Sequence, residues 1–275
     1  MSAFHRLAFL CCLFPSFVMA QPSAAAKIKL GVRSPITFTE SAALGSPAQL
    51  KMRLRSVETP GAYDVSQESF EILVPKGYKD SVPHGLFIWI SPGDKPSISP
   101  EWEKVLADKK LIFIGAAKSG NNRPVFDRMR MAIDANDQLR QLYKVDPKRV
   151  YISGHSGGSR VASMLAVAYA DMFTGAACFM GVNFFMPTQG KDGTMFEARY
   201  IPHPEIATLA QQESRLALVT GDKDMNQDNT TAIYKQGFVA NEFKGVKLFD
   251  IPGQTHSAPS KEWLEKVLDF LDTGK

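Results

Sequence analysis

The sequence predicts an α/β fold: a mostly parallel central sheet with helices on both faces and antiparallel N-terminal edge strands. Two observations carry this reading. Short apolar runs recur along the chain at Leu86 to Ile90, Leu111 to Ala116, Ala176 to Met180 and Leu216 to Thr220. Strands buried on both faces read as near-continuous hydrophobic stretches. Helical segments alternate with them; Phe126 to Tyr143, with Met129, Ile133, Leu139 and Leu142 at helical spacing, is the longest. Strands separated by helices pair in parallel. The length of 275 residues, 44% of them hydrophobic and 22% charged, suits one domain with a sizeable core.

In chain order, Arg6 is followed by an apolar run from Leu7 to Val18, and then by Val18-Met19-Ala20 before Gln21. A charged start, a short apolar stretch and small residues before the break describe a secretory signal peptide over residues 1–20. The run is too short to span a bilayer, so the expectation is a secreted or periplasmic protein with no membrane association after cleavage. Cys11 and Cys12 leave with this segment. Cys178 remains alone in an apolar strand, which excludes an intrachain disulfide and suits a small buried side chain.

Residues 21–66 read as an Ala/Ser/Pro-rich leader followed by edge strands at Lys27 to Val32 and Leu50 to Val57. The main domain is expected over 67–275. It begins with a strand at Phe70 to Val74 and continues through strand Leu86 to Ile90, helix Glu101 to Lys109, strand Leu111 to Ala116 and helix Phe126 to Tyr143. Strand Arg149 to Ile152 and helix Arg160 to Tyr169 follow. Strands at Ala176 to Met180, Leu216 to Thr220 and Val246 to Ile251, with helices at about 228–240 and 260–272, complete it. Residues 181–213 form one long irregular insertion, expected over the site, because unstructured loops of that size in compact domains are usually functional.

Lys and Arg are scattered and the net charge is only +4, which argues against nucleic-acid binding. His and Cys are too few and too separated for a metal site. No cofactor is expected.

The informative motif lies between a β-branched run and a helix: Gly154-His155-Ser156-Gly157-Gly158. Gly-x-Ser-x-Gly at a strand-to-helix turn is the pattern of a nucleophile elbow. Such a turn strains the serine backbone, and the flanking glycines leave room for it. The helix after it aims its N–H groups and positive dipole end at the same point.

A serine hydroxyl needs a base to take its proton. His84 precedes the Leu86 strand, at the wrong edge of the sheet. His155 points away from its neighbour Ser156, and His203 lies between two prolines in the insertion. His256 follows the last strand, at the edge where the serine stands. The acid that orients the base is expected on Gly221-Asp222-Lys223-Asp224, one strand earlier in the chain order Ser, Asp, His. Asp224 is preferred to Asp222, because three residues after the glycine the loop has room to curl back. Glu197 and Glu205 lack an adjacent partner.

The oxyanion of a tetrahedral intermediate needs two donors. One is the N–H of Gly157. The other is expected from Ser91-Pro92-Gly93-Asp94; Pro92 has no N–H, so Gly93 or Asp94 must supply it. Substrate contacts are expected from Asn121, Asn122 and Arg123 after the Leu111 strand, and from Asn183 and Phe184 after the Ala176 strand.

From about residue 68 onward the chain resembles the α/β-hydrolase superfamily. More narrowly, it is similar to secreted polyhydroxybutyrate depolymerases and feruloyl and acetyl-xylan esterase-like serine hydrolases. The stretches that carry the resemblance are Phe70 to Tyr78, Val145 to Tyr151, the elbow, the Gly221-x-x-Asp224 turn and the His256 loop. It implies a Ser156–Asp224–His256 triad, and hydrolysis of a small-molecule or polymer-linked carboxylic ester through an acyl-enzyme. In one departure, Ser91-Pro92 stands where these esterases usually carry His-Gly. Two other functions compete: a catalytically weak or inactive extracytoplasmic binding protein, and a peptidase or acyltransferase on the same triad.

Overall fold

Residues 28–274 are described by a computed structural model; the signal-peptide expectation over 1–20 lies outside them. In chain order the strands are β1 (Ser34–Ile36), β2 (Phe70–Leu73), β3 (His84–Ile90), β4 (Leu111–Ala116), β5 (Val145–His155), β6 (Gly175–Phe179), β7 (Thr188–Gln189), β8 (Met195–Phe196), β9 (Arg215–Lys223) and β10 (Gly245–Thr255). The helices are α1 (Pro47–Leu54), α2 (Pro100–Asp108), α3 (Val125–Leu142), α4 (Gly157–Ala168), α5 (Pro204–Glu213), α6 (Gln227–Ala232) and α7 (Lys261–Thr273).

Eight strands form the main sheet in the order β1-β2-β4-β3-β5-β6-β9-β10. β1 and β2 are antiparallel to their neighbours, and every pairing from β4 to β10 is parallel. All residues of β3, β4 and β6 are buried, which explains the apolar runs that fill them from Leu86, Leu111 and Gly175 onward. On one face the core joins Ile88, Ile114 and Ile152 of the sheet to Met129 and Ile133 of α3 and Leu165 of α4. On the other, Phe87, Phe113 and Val219 meet Trp102 and Leu106 of α2 and Leu264 and Leu268 of α7. Sequential strands that reverse their direction of winding bring the C-terminal ends of β5, β9 and β10 to one sheet edge, where ligands of open α/β sheets bind.

Two expectations for the N-terminal region are corrected. Leu50 to Val57 is not a strand: Pro47–Leu54 is helical, with the Ser46 hydroxyl accepting from the Gln49 N–H at 3.4 Å. Proline at the first helical position and serine at the cap favour this start, and burial of Leu50 and Leu54 on one face settles it. Residues 28–32 are likewise irregular, and the antiparallel edge is made a few residues later, where Ser34–Ile36 pairs with Ile72–Phe70.

The 181–213 segment also holds more structure than expected. β7 and β8 form a small hairpin, and Pro204 opens α5 in the same way that Pro47 opens α1. Beyond α6 the backbone widens into a π-helical turn over Ile233–Val239. Gly237 is required there, because a methyl group on it would lie 2.9 Å from the Phe184 ring. Cys178 is buried, and burial pushes its thiol up to about 12, so it is not a reactive group.

Candidate active site

β5 delivers the chain to Ser156 at the C-terminal edge of the sheet, and α4 starts immediately after it. Ser156 has φ 52° and ψ −120°, a backbone conformation that non-glycine residues rarely adopt and that clusters at functional sites. Its N–H donates to the Phe179 carbonyl at 2.8 Å. The reason for the two glycines of the motif is steric. A methyl group on Gly158 would stand 1.9 Å from the Ile90 carbonyl oxygen, and one on Gly154 would stand 2.5 Å from the Gly158 carbonyl carbon. The turn therefore folds flat against the end of β3.

His256, just after β10, reaches back across the edge. Its Nε2 lies 2.9 Å from Ser156 Oγ and its Nδ1 lies 2.6 Å from Asp224 Oδ1. The three residues, 100 and 32 positions apart in the chain, form one hydrogen-bonded line. The Asp224 side chain is fully buried while that of His256 is 22% exposed, so the acid is shielded and the base is partly open to solvent. Asp224 is itself fixed by the Thr220 hydroxyl, which donates to Oδ2 at 2.8 Å, and by the Asn226 N–H, which donates to Oδ1 at 3.1 Å. Asn226 is held in turn by Arg160 of α4, whose Nη2 donates to Oδ1 at 3.2 Å.

Asp222 takes a different position. Its Oδ1 accepts from the Gly253 N–H at 2.6 Å, tying the end of β9 to the bend in β10 from which His256 departs. His155 turns to the other side of β5, as its place beside Ser156 requires. Its ring sits 5.0 Å from that of His256. Its Nε2 and the Trp89 Nε1 are buried with no hydrogen-bond partner among the described residues. Burial, and then the neighbouring His256, push His155 down to about 4, so at neutral pH it is an uncharged wall beside the base. His84 is buried at the start of β3, and His203 is the N-cap of α5.

The loop after β3 is closed on itself. Ser91 Oγ accepts from the Gly93 N–H at 3.1 Å and donates to the Lys95 carbonyl at 2.8 Å. Beneath it Arg128, which burial lowers to about 10, donates from Nη2 to the Ser91 carbonyl at 3.0 Å. The Asp94 carbonyl accepts from the Lys118 N–H at 2.7 Å, and the Pro92 carbonyl accepts from the Asn121 N–H at 3.0 Å. The loops after β3 and β4 thus form a single unit.

The expected substrate contacts separate into two groups. Asn121 and Asn122 are both exposed, and Asn121 lies against Gly157 of the elbow. Arg123 is engaged elsewhere, with Nη2 on Glu68 at 2.5 Å and Nε on Asp127 at 2.9 Å. Asn183 packs along α4, where its N–H donates to Ser163 Oγ at 2.9 Å and its Oδ1 accepts from Arg160. Phe184 is only 1% exposed and packs, tilted or edge-on, among Phe185, Phe238 and Phe243. Arg123 and Phe184 are therefore structural: ion-pair partners and aromatic packing hold them away from the opening. The residues that sequence reasoning missed are Thr220, Asn226 and Arg160; only their closeness to Asp222–Asp224 and the elbow hinted at them. Among the described residues, no group of three His, Cys, Asp or Glu side chains is placed to hold a metal ion, and no helix is long and apolar enough to cross a membrane.

No family model matches the sequence. Over 131 residues, 45% of this chain, it is 24% identical to poly(3-hydroxyalkanoate) depolymerase C of Paucimonas lemoignei, of which it spans 25% of the length. Among solved structures it is similar to a mutant of the feruloyl esterase module from Clostridium thermocellum complexed with sinapinate. That match has a TM-score of 0.57 and 13% identity over 92% of this chain and 88% of the other. It is also similar to Est1E from Butyrivibrio proteoclasticus, with a TM-score of 0.53 and 17% identity over 74% of this chain and 93% of that one. Together with the sheet order, these likenesses show the α/β-hydrolase fold.

Proposed function

We propose that this chain, an α/β-hydrolase by fold, is a secreted or periplasmic serine esterase that cleaves carboxylic esters through an acyl-enzyme. The observation that carries the proposal is the His256 imidazole, with one nitrogen 2.9 Å from Ser156 Oγ and the other 2.6 Å from a buried carboxylate. Ser156 Oγ attacks the ester carbonyl while His256 Nε2 takes its proton. Asp224 holds Nδ1–H, which fixes the tautomer and stabilises the imidazolium. His256 then protonates the leaving alcohol. A water, deprotonated by the same nitrogen, hydrolyses the acyl-Ser156 ester. The Gly157 N–H, at the first turn of α4, donates to the oxyanion.

The substrate is a small-molecule or polymer-linked carboxylic ester, and the depolymerase match supports the polymer-linked class. Extracytoplasmic placement rests on residues 1–20. Purified protein should react with a fluorophosphonate at Ser156 and hydrolyse p-nitrophenyl acetate, and Ser156→Ala should lose both properties. Unchanged turnover in Ser156→Ala would sink the proposal.

A second reading, a catalytically weak binding protein on this fold, draws on one observation: the Gly93 N–H already donates to Ser91 Oγ. Turnover of p-nitrophenyl acetate that vanishes in His256→Ala would eliminate it.

A further inference from the structure

Two backbone donors usually steady the oxyanion, and of the two amides expected to supply the second, that of Gly93 is already engaged, which leaves the Asp94 N–H of the same loop. Pro92 has no N–H, and the Gly93 N–H is taken by Ser91 Oγ within the same short turn. That turn is fixed from three sides, by the Lys95 carbonyl on Ser91 Oγ, by Arg128 under the Ser91 carbonyl, and by the Asn121 N–H on the Pro92 carbonyl. Releasing the Gly93 N–H would mean breaking an anchored loop.

Another amide, the Asn121 side chain, stands against Gly157. A methyl group built on Gly157 would lie 2.0 Å from Asn121 Oδ1, 2.7 Å from its Cγ and 2.9 Å from its Nδ2. The Asn121 carboxamide therefore lies directly against the residue after the nucleophile. This also accounts for a glycine that the elbow does not require. The flat turn needs Gly154 and Gly158, whereas the obstacle at Gly157 is the Asn121 side chain. The Asn121 backbone is tied down through its N–H, yet its exposed carboxamide makes no hydrogen bond to any described residue. Its two ends have the same shape, so a turn about Cβ–Cγ presents either Oδ1 or Nδ2 to the site.

We propose that Nδ2 of Asn121 is the second oxyanion donor, acting beside the Gly157 N–H in place of the occupied Gly93 N–H. The inference rests on the serine-esterase reading. As Ser156 Oγ adds to the ester carbonyl, the carbonyl oxygen gains negative charge and selects the orientation with Nδ2 inward. The interaction is made in the transition state and not in the ground state, so its loss lowers kcat rather than raising KM.

The test is steady-state kinetics of wild type, Asn121→Ala, Asn121→Asp and Ser156→Ala on p-nitrophenyl acetate, with thermal unfolding midpoints and the affinity for phenylboronic acid, which forms a tetrahedral adduct on the serine. Loss of one oxyanion donor costs about 10²–10³-fold in rate. Asn121→Ala is expected to lose that much in kcat, with KM within about threefold, an unchanged midpoint and a parallel loss of boronic-acid affinity. Asn121→Asp keeps the shape but has no donor; it should lose at least as much, and it serves if the alanine variant folds poorly. A kcat for both variants within about threefold of wild type overturns the proposal, as does a loss confined to KM. These outcomes leave the esterase reading standing as long as Ser156→Ala is inactive. Wild type that neither turns over ester nor binds the boronic acid sinks the esterase reading itself.

Discussion

Asp222 and Asp224 stand two residues apart on one loop and grip opposite sides of the same histidine segment. Asp224 meets the His256 ring, while Asp222 accepts from the Gly253 N–H three residues before it. The first sets the orientation of the base and the second sets the bend of the backbone that carries it. Asp224→Asn should lower kcat by about 10⁴-fold with the fold intact, because the amide favours the wrong imidazole tautomer. Asp222→Ala, which removes the acceptor of the Gly253 N–H, should cost far less in kcat but lower the thermal midpoint. Paired kinetics and melting curves on p-nitrophenyl acetate check both; equal kcat losses would show that the two carboxylates are not divided in this way.

The glycines of the elbow are expected to differ sharply from the one in the histidine loop. Gly158→Ala would drive a methyl group into the Ile90 carbonyl and should cost more than about 4 kcal/mol, or abolish folding. Gly253→Ala meets nothing within 4 Å and suffers only from its φ of 74°, worth about 1–2 kcal/mol. Urea unfolding of the two variants gives the comparison.

The support behind the acid should be measurable. Asn226→Ala removes the Oδ1 that Arg160 holds and the Nδ2–H that donates to the Met180 carbonyl at 2.8 Å, while leaving the backbone N–H on Asp224. Small misplacements around reacting groups can cost about 10²-fold, and this one is expected to fall between 10-fold and that value in kcat, with KM little changed. A variant with wild-type kcat would show that Thr220 and the Asn226 backbone suffice.

Two buried groups give the stability opposite responses to acid. Burial lowers His155 from 6.5 to about 4, so between these values the unfolded chain takes up a proton that the folded chain refuses. Its contribution is complete above 6.5 and is lost as pH falls. Asp134 is raised by burial from 3.8 to about 6, so across that range the folded chain keeps a proton that the unfolded chain releases. Its contribution is complete below 3.8 and is lost as pH rises. Asp134→Asn should therefore steepen the loss of stability between pH 6.5 and 4, and His155→Phe should flatten it. Melting points at pH 4.5, 5.5 and 6.5 report the slopes.

Much of the sheet was legible because burial on both faces leaves a plain mark. Leu86 to Ile90 and Leu111 to Ala116 have no polar residue to confuse the reading. α1 was misread because Leu50, Met52 and Leu54 alternate as a half-buried strand would. The Ser46-Pro47 start is the stronger local signal, and the partners of Leu50 and Leu54 lie far away in the chain. At the site, the order of Ser156, Asp224 and His256 along the chain was readable because each ends or follows a strand. Arg123 and Phe184 were not: their surroundings include Glu68, 55 residues away, and Phe238 and Phe243 on the far side of the insertion. The Ser91 hydroxyl on the Gly93 N–H was equally hidden, since a Ser-Pro-Gly string does not state which donors its turn consumes.

The elbow has no freedom of its own. Ser156 is bonded through its N–H to the strand on one side, and Gly158 lies against the end of the strand on the other. Local openings of a protein are drawn from regions with few buried contacts, and this turn is not among them. Exchange of the Ser156 amide with solvent deuterium should accordingly proceed at the rate of the slowest β5 and β6 amides. Heat or urea should then erase activity and the folded spectrum together, with no intermediate stage in which the body of the protein survives its nucleophile.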